Sequence, residues 1–330
     1  MRFTSICKKF GCTVVALTVM ISSSALMAQE KFPTKPIKIV VGSEPGSAPD
    51  ILARVIANEM GPILGQTVIV ENRAGAAGTI GATSVTTAKP DGYTLLMGTV
   101  SNVALAPSFY PVKYDPEQSF TAIGMVASVP LVLVVSPVLG AQTFSELQSK
   151  LRQPGAADQI AYSSPGIGGP QHLAGVLLQR RFDQQWLHVP YKSGGAAMAS
   201  VAAGDTKLAF AGIPAAASLA QAQKVYPLFV TATKRSSAMP NVPSSTEVGL
   251  ADFEIDNWHA LLGPAGIPPP VQASLEAALT KALGSTVVRE QFLKVGAEPA
   301  PSSGRELATR IAAETARWSR IVKENNLKVD

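Results

Sequence analysis

Two loops carry the residue types that could meet a ligand. Residues 42–49 read GSEPGSAP and residues 164–172 read SPGIGGPQH. Neither contains a lysine or an arginine. Each follows an apolar run and precedes helical spacing. Each therefore places the unpaired N–H groups of a helix start just beyond the end of a strand. Such a terminus favours an anion, and ligands of open α/β sheets gather there. Charge-assisted hydrogen bonds are worth about 1.5–3 kcal/mol each. Two helix starts sharing one carboxylate could therefore hold it without a cationic side chain.

Other chemistries fit the residues less well. Ser163 and Ser164 lie near His172, but the G-x-S-x-G elbow of a hydrolase is absent from both loops. The three histidines, His172, His188 and His259, fall in different elements with no i, i+4 pairing of the zinc type. His188, inside an apolar run, reads as a core histidine. Gly75, Gly78 and Gly81 recur every third residue and could cradle a phosphate. No Lys-Ser/Thr pair follows them, so close packing of a helix on a sheet explains them better. No G-x-G-x-x-G follows a strand. The chain reads as a non-enzyme with no cofactor and no metal.

The elements that must position these loops alternate in type. The β-branched run at 37–41 predicts a buried strand. Ile51, Leu52, Val55, Ile56 and Met60 then share one helical side, and Ser47 with Asp50 has the form of a capping box. Strands follow at 66–70 and 93–98. Thr99, Ser101 and Asn102 make a polar loop in which Ser101 or Asn102 could be an N-cap. Residues 122–136 are the most apolar stretch after the N-terminus, one buried strand or two, and carry the chain from one domain to the next. Thr143 and Glu146 predict a capped helix to 151. Strands at 160–163, 186–191, 207–211 and 225–231 alternate with helices. A strand at 255–262 crosses back, and helices at 271–283, 286–295 and 304–325 close the chain. The pattern predicts an α/β fold with mainly parallel sheets and the two loops facing each other across a cleft.

Composition narrows the setting. Arg2, Lys8 and Lys9 precede the uncharged apolar run 11–21 and the small residues of 22–28, which predicts a cleaved signal peptide and export to the periplasm. That segment holds three of the 28 basic residues and no acidic one. The formal charge of +5 then becomes 25 basic against 23 acidic residues, or +2. This leaves no basic footprint for nucleic acid. Both cysteines, Cys7 and Cys12, lie in the same segment, so the remaining chain can form neither disulfides nor thiolate metal sites. Its length suffices for two α/β domains.

Several longer segments carry a family resemblance. FPTKPIKIVV, PGSAPDILAR, VENRAGAAGTIGA with PDGYTLL, YSSPGIGGPQHLAG, HVPYK with ATKRS, and WHALLGPAGIPPP together resemble the Bug/TctC-type solute-binding receptors of tripartite tricarboxylate transporters. The resemblance runs over essentially the whole chain after the signal peptide. It implies a monomeric two-domain periplasmic binding protein that closes like a Venus flytrap. Domain 1 would take 29–129 plus 251–330, and domain 2 would take 130–250. The protein would hand a small carboxylate to membrane permease subunits. A receptor that presents its ligand to a membrane sensor would look the same in sequence.

The family's ligand loops map onto Gly46, Ser47, Ala48 and Asp50 on one side. On the other they map onto Ser164, Gly166, Gly168, Gly169 and His172, with Ser101, Asn102 and Gly212 lining the floor. The chain departs from the family at Ser43, where an aromatic is usual, and at Ser47 and Ala48, where glycines are usual. Pro49 removes a donor from the helix start. Ala211 stands where many members carry an aspartate that meets an amino group, which argues against a simple amino acid ligand. Glu44 stands where an apolar residue or proline is usual, and could meet a ligand's donor group. The opening loop is therefore where ligand choice is expected to reside.

Overall fold

The computed structural model describes residues 32–155 and 159–327. The predicted signal peptide lies outside them. β1 (Ile37–Val41) is buried at all but one position, as its branched apolar run requires. It feeds α1 (Ala48–Leu64), which buries Leu52, Ala53, Ile56, Ala57 and Met60 and stops at Gly65 in the left-handed conformation. β2 (Val68–Asn72), α2 (Thr79–Thr86) and β3 (Thr94–Thr99) follow. A π-helical turn, Val100–Leu105, then leads into the short α3 (Ala106–Phe109).

The most apolar stretch resolves into two strands, β4 (Phe120–Ser128) and β5 (Leu131–Val135), which belong to different sheets. α4 (Phe144–Leu151) starts at a complete Thr143/Glu146 capping box. Next come β6 (Ala161–Ser164), α5 (Pro170–Arg181), β7 (Leu187–Pro190), α6 (Gly194–Ala203), β8 (Leu208–Gly212), α7 (Ile213–Gln221) and β9 (Tyr226–Val230). The chain returns to the first sheet as β10 (His259–Pro264). It ends in α8 (Pro269–Leu283), α9 (Thr286–Lys294), β11 (Glu298–Pro299) and the amphipathic α10 (Gly304–Glu324).

The strand orders are β11-β4-β10-β3-β1-β2 in one sheet and β7-β6-β8-β5-β9 in the other. The sheets are mixed rather than mainly parallel. β1 runs parallel to β2 and β3, but β10 is antiparallel to β3 and β4. Likewise β6 is parallel to β7 and β8, but β5 is antiparallel to β8 and β9. A parallel neighbour needs a crossover within its own sheet. β5 and β10 arrive directly from the other sheet, so they run against the βαβ strands. Alternation along β3 sends Leu95 and Met97 into a core with α1 and α8, and Leu96 into a core on the opposite face.

The two connections between the sheets lie side by side. Pro130 bridges Asp256, and Asn257 N–H donates to Val129 O at 3.1 Å. Asp256 Oδ1 accepts from Val129 N–H at 2.7 Å, and its Oδ2 meets an Arg310 Nη of α10 at 2.9 Å. Thr231 Oγ1 accepts from Leu131 N–H at 2.9 Å and donates to Ile255 O at 2.6 Å. The predicted crossing strand at 255–262 is therefore two pieces: a bridging segment, then β10 from His259.

Candidate functional site

The loop after β1 is held by its own side chains. Ser47 occupies the N-cap position of α1, yet its hydroxyl donates to Glu44 O at 2.7 Å and lies 2.7 Å from Ser43 Oγ. The expected capping box is therefore not made. Asp50 instead accepts from Gly46 N–H and Asn72 Nδ2, each at 2.9 Å, and pairs with Arg54. Burial works to raise the Asp50 carboxyl. Arg54, the Gly46 N–H and Asn72 outweigh it and hold the carboxyl below its ordinary range. Asp50 is buried and committed to fixing the loop's shape.

Beside this loop lies a cavity of about 420 Å³. Ser43, Glu44, Ser101 and Asn102 line it; Gly46, Ser47, Ala48 and Asp50 are not in its lining. Gly75 and Gly78 also line it, and the reason is packing. A Cβ on Gly42 would lie 2.7 Å from Gly78 O, and one on Gly81 would lie 2.9 Å from Gly42 Cα. Only glycines let the start of α2 approach β1 this closely, so the glycine triplet is a packing device that also forms wall. Thr99, rather than Ser101 or Asn102, is the N-cap of the next turn. Asn102 Oδ1 accepts from Thr99 N–H at 2.8 Å, and Asn102 N–H returns to Thr99 Oγ1 at 3.2 Å.

Two lining residues, Asn257 and His259, were not among the sequence candidates. They lie two apart on the segment entering β10, a spacing that puts both on one face of an extended chain. That spacing was the available signal, and it meant little without the segment's partners. Glu44 is the one acid in the lining, which contains no lysine or arginine. Any anion held there must be bound by backbone N–H, hydroxyl, amide or imidazole groups.

The second loop is built on a different plan. Ser164 ends β6, and Gly169 caps α5, whose first residue is Pro170. Ser164 Oγ donates to Gly166 O at 2.8 Å, accepts from Gly166 N–H at 3.2 Å and lies 2.7 Å from His188 Nε2. With its single proton given to Gly166, the hydroxyl requires the proton of His188 on Nε2. Gly168 N–H donates to His172 Nδ1 at 3.2 Å, and the two imidazoles sit 4.3 Å apart. Two N–H groups that the sequence offered to an anion thus have internal partners. Ser164, Gly166, Gly168, Gly169, His172 and Gly212 are absent from the lining of the 420 Å³ cavity. Gly212 borders a separate space of about 40 Å³ with Pro165 and Gln171. Among the described residues no group of three or more His, Cys, Asp or Glu is placed to hold a metal.

Burial pushes His172, His188 and His259 each down to about 4, with His188 adding to the effect on His172. The unfolded chain takes up these protons nearer 6.5. Between those values it binds more protons than the folded chain, so stability is full above about 6.5 and falls as pH drops toward about 4. Thermal unfolding across this range should show a falling midpoint, less steep in His172→Asn. A midpoint constant from neutrality to pH ~5 would contradict the buried neutral rings.

Comparison with known proteins agrees with this architecture. A profile described as "Tripartite tricarboxylate transporter family receptor" matches residues 52–327. The UPF0065 protein in the TAR-I ttuE-ttuC' intergenic region of Agrobacterium vitis is 33% identical over 313 residues, covering 94% of this chain and 90% of that protein. The structure of periplasmic binding protein BugD superposes with a TM-score of 0.71 at 31% identity, over 90% of this chain and 99% of its own. MatC from Rhodopseudomonas palustris, with bound malate, gives 0.71 at 29% identity over 88% and 100%. The family consists of solute-binding receptors rather than enzymes. This chain belongs to the tripartite tricarboxylate transporter receptor family, of the TctC/Bug type.

Proposed function

We propose that this protein is a periplasmic receptor that captures a small carboxylate between two lobes and delivers it, as a monomer, to the membrane permease of a tripartite transporter. The observation that carries the reading is the 420 Å³ cavity beyond the end of β1, which sets hydroxyl, amide and imidazole side chains among small residues and is free of cationic side chains. Its walls offer donors suited to one small anion. The lobes are 29–129 with 251–330, and 130–250. The paired connections at Val129–Pro130 and Ile255–Asn257 are the hinge. Closure brings the loop of Ser164, Gly166, Gly168, Gly169 and His172, with Gly212, over a floor formed by Ser43, Glu44, Ser101 and Asn102. Gly46, Ser47 and Asp50 hold the first loop in shape through its internal hydrogen bonds, with Ala48 opening α1. Export follows from residues 1–28. The malate in the MatC structure supports a carboxylate ligand.

The test is mass spectrometry of whatever co-elutes from protein purified without denaturation, followed by thermal-shift screening of dicarboxylates, tricarboxylates, aromatic acids and amino acids. A true ligand at a hundred times its Kd should stabilise the fold by about 2.7 kcal/mol. If no carboxylate raises the melting temperature, the proposed function fails.

A further inference from the structure

We propose that Glu44 sets the charge class of the ligand: the cavity holds a monocarboxylate whose other polar group donates hydrogen bonds, in preference to a dicarboxylate of the same length. This rests on the receptor reading above. Within that reading it narrows the ligand from any small carboxylate to one with no second negative charge.

The loop after β1 holds two acids with opposite surroundings. Asp50 is buried and takes the donors at hand, the Gly46 N–H, Asn72 and Arg54. Glu44 is exposed, and only its backbone is held. The Ser47 hydroxyl and N–H both donate to Glu44 O, at 2.7 and 3.3 Å, and Asn72 Nδ2 donates to Ser43 O at 3.0 Å. The backbone is thus pinned while the Glu44 carboxylate has no hydrogen-bond or ionic partner among the described residues. The cations of the surrounding elements are engaged elsewhere. Arg54 pairs with Asp50 at 2.9 Å, and Lys38 and Arg73 both pair with Glu71.

The cavity turns this unpaired acid into a selection. Glu44 lines it, and no lysine or arginine does. The other polar side chains of the lining are hydroxyls, amides and the His259 imidazole, which burial keeps neutral. Neutral donors can hold one ligand carboxylate, but no charge in the lining offsets a second. A sphere of 420 Å³ is roughly 9 Å across, close to the Debye length of about 8 Å at physiological ionic strength. A second ligand charge therefore feels Glu44 wherever in the cavity it sits. A carboxylate accepts hydrogen bonds and cannot donate them. Glu44 thus repels a second ligand carboxylate and bonds an amide, hydroxyl or ammonium group in its place. Lobe closure that excludes water strengthens both effects, since an uncompensated charge costs most where solvent is absent.

The experiment uses the whole secreted protein and matched probes of equal length that differ by one charge: succinate, glutarate and adipate, each against its monoamide. Calorimetry on the unaltered protein should show at least one monoamide bound about ten-fold or more tighter than its diacid. Glu44→Gln, which keeps the size of the side chain and removes its charge, should bring that ratio to within about two-fold, chiefly by tightening the diacid. Glu44→Lys should invert it. A diacid bound as tightly as its monoamide by the unaltered protein, or a ratio unchanged in both variants, overturns the role of Glu44 and leaves the receptor reading standing. Failure of all six acids to bind overturns the receptor reading for this class, and this inference with it.

Discussion

Asp256→Ala is expected to lower the stability of the protein by about 3 kcal/mol and its melting temperature by roughly 6–12 °C. The reason lies in what one buried carboxylate does for the paired connections between the sheets. Its Oδ1 satisfies the Val129 N–H and its Oδ2 the Arg310 guanidinium, so it ties both connections between the sheets to α10. Burial pushes the Asp256 carboxyl up, while Arg310 and the Val129 N–H draw it back toward the charged form. Truncation leaves a buried N–H unpaired, and a guanidinium that is only 30% exposed without its counter-ion. The Arg310 Nε is already buried without a hydrogen-bond partner among the described residues. Removing one member of such a pair costs much more than the pair contributes net, because the other charge stays behind. Asp256→Asn keeps an acceptor for Val129 and should lose less. Thermal unfolding monitored by circular dichroism decides the matter. A shift of less than about 2 °C in Asp256→Ala would show that the paired connections do not depend on this residue.

Gly42→Ala is expected to cost about 2–3 kcal/mol and to weaken ligand binding at least about ten-fold. The added Cβ would sit 2.7 Å from Gly78 O and 2.8 Å from Gly78 Cα, both backbone atoms that cannot rotate away. It would also press on Asn102 Nδ2 at 3.1 Å. The start of α2 must then move off β1 with Gly78, and Asn102, in the turn after β3, must give way; both are parts of the cavity wall. Stability and affinity should therefore fall together. Gly194→Ala is the control, since nothing lies within 4 Å of a Cβ at that position. Its stability should change by no more than about 0.5 kcal/mol. Denaturant unfolding and calorimetry on both variants test the contrast. Wild-type affinity in Gly42→Ala would show that the glycine contact packs the fold without shaping the site.

Much was legible in the sequence because it depended on neighbours along the chain. Strand, small-residue loop and helix start occur at 37–64 and again at 161–181, and both were visible as changes in apolar period. The Thr143/Glu146 box is equally local; whether the apolar stretch at 122–136 is one strand or two was open in the sequence, and β4 and β5 in different sheets settle it as two. The four first-loop and floor candidates that line the cavity, Ser43, Glu44, Ser101 and Asn102, follow strand ends, and strand ends can be read from one sequence.

What the sequence left open depended on partners distant in the chain. Asp50 looked like a capping residue because Glu or Asp at that spacing often is. Arg54 and Asn72, the latter from β2, claim it instead, and Ser47 turns back to Glu44. The sheets looked mainly parallel because strand–helix alternation does not record which strands arrive from the other sheet. The N–H groups of Gly166 and Gly168 looked free until Ser164, His188 and His172 came together beneath the loop. Asn257 and His259 offered only their two-residue spacing, whose meaning comes from β3 and β4, more than 100 residues earlier. The sequence by itself determined the fold class, the family and the ends of the strands where a ligand could sit, since these follow from local period and turn chemistry. Only the tertiary structure decided which polar groups at those ends are already paired and which remain for a ligand, because hydrogen bonds are satisfied by whatever the fold brings near.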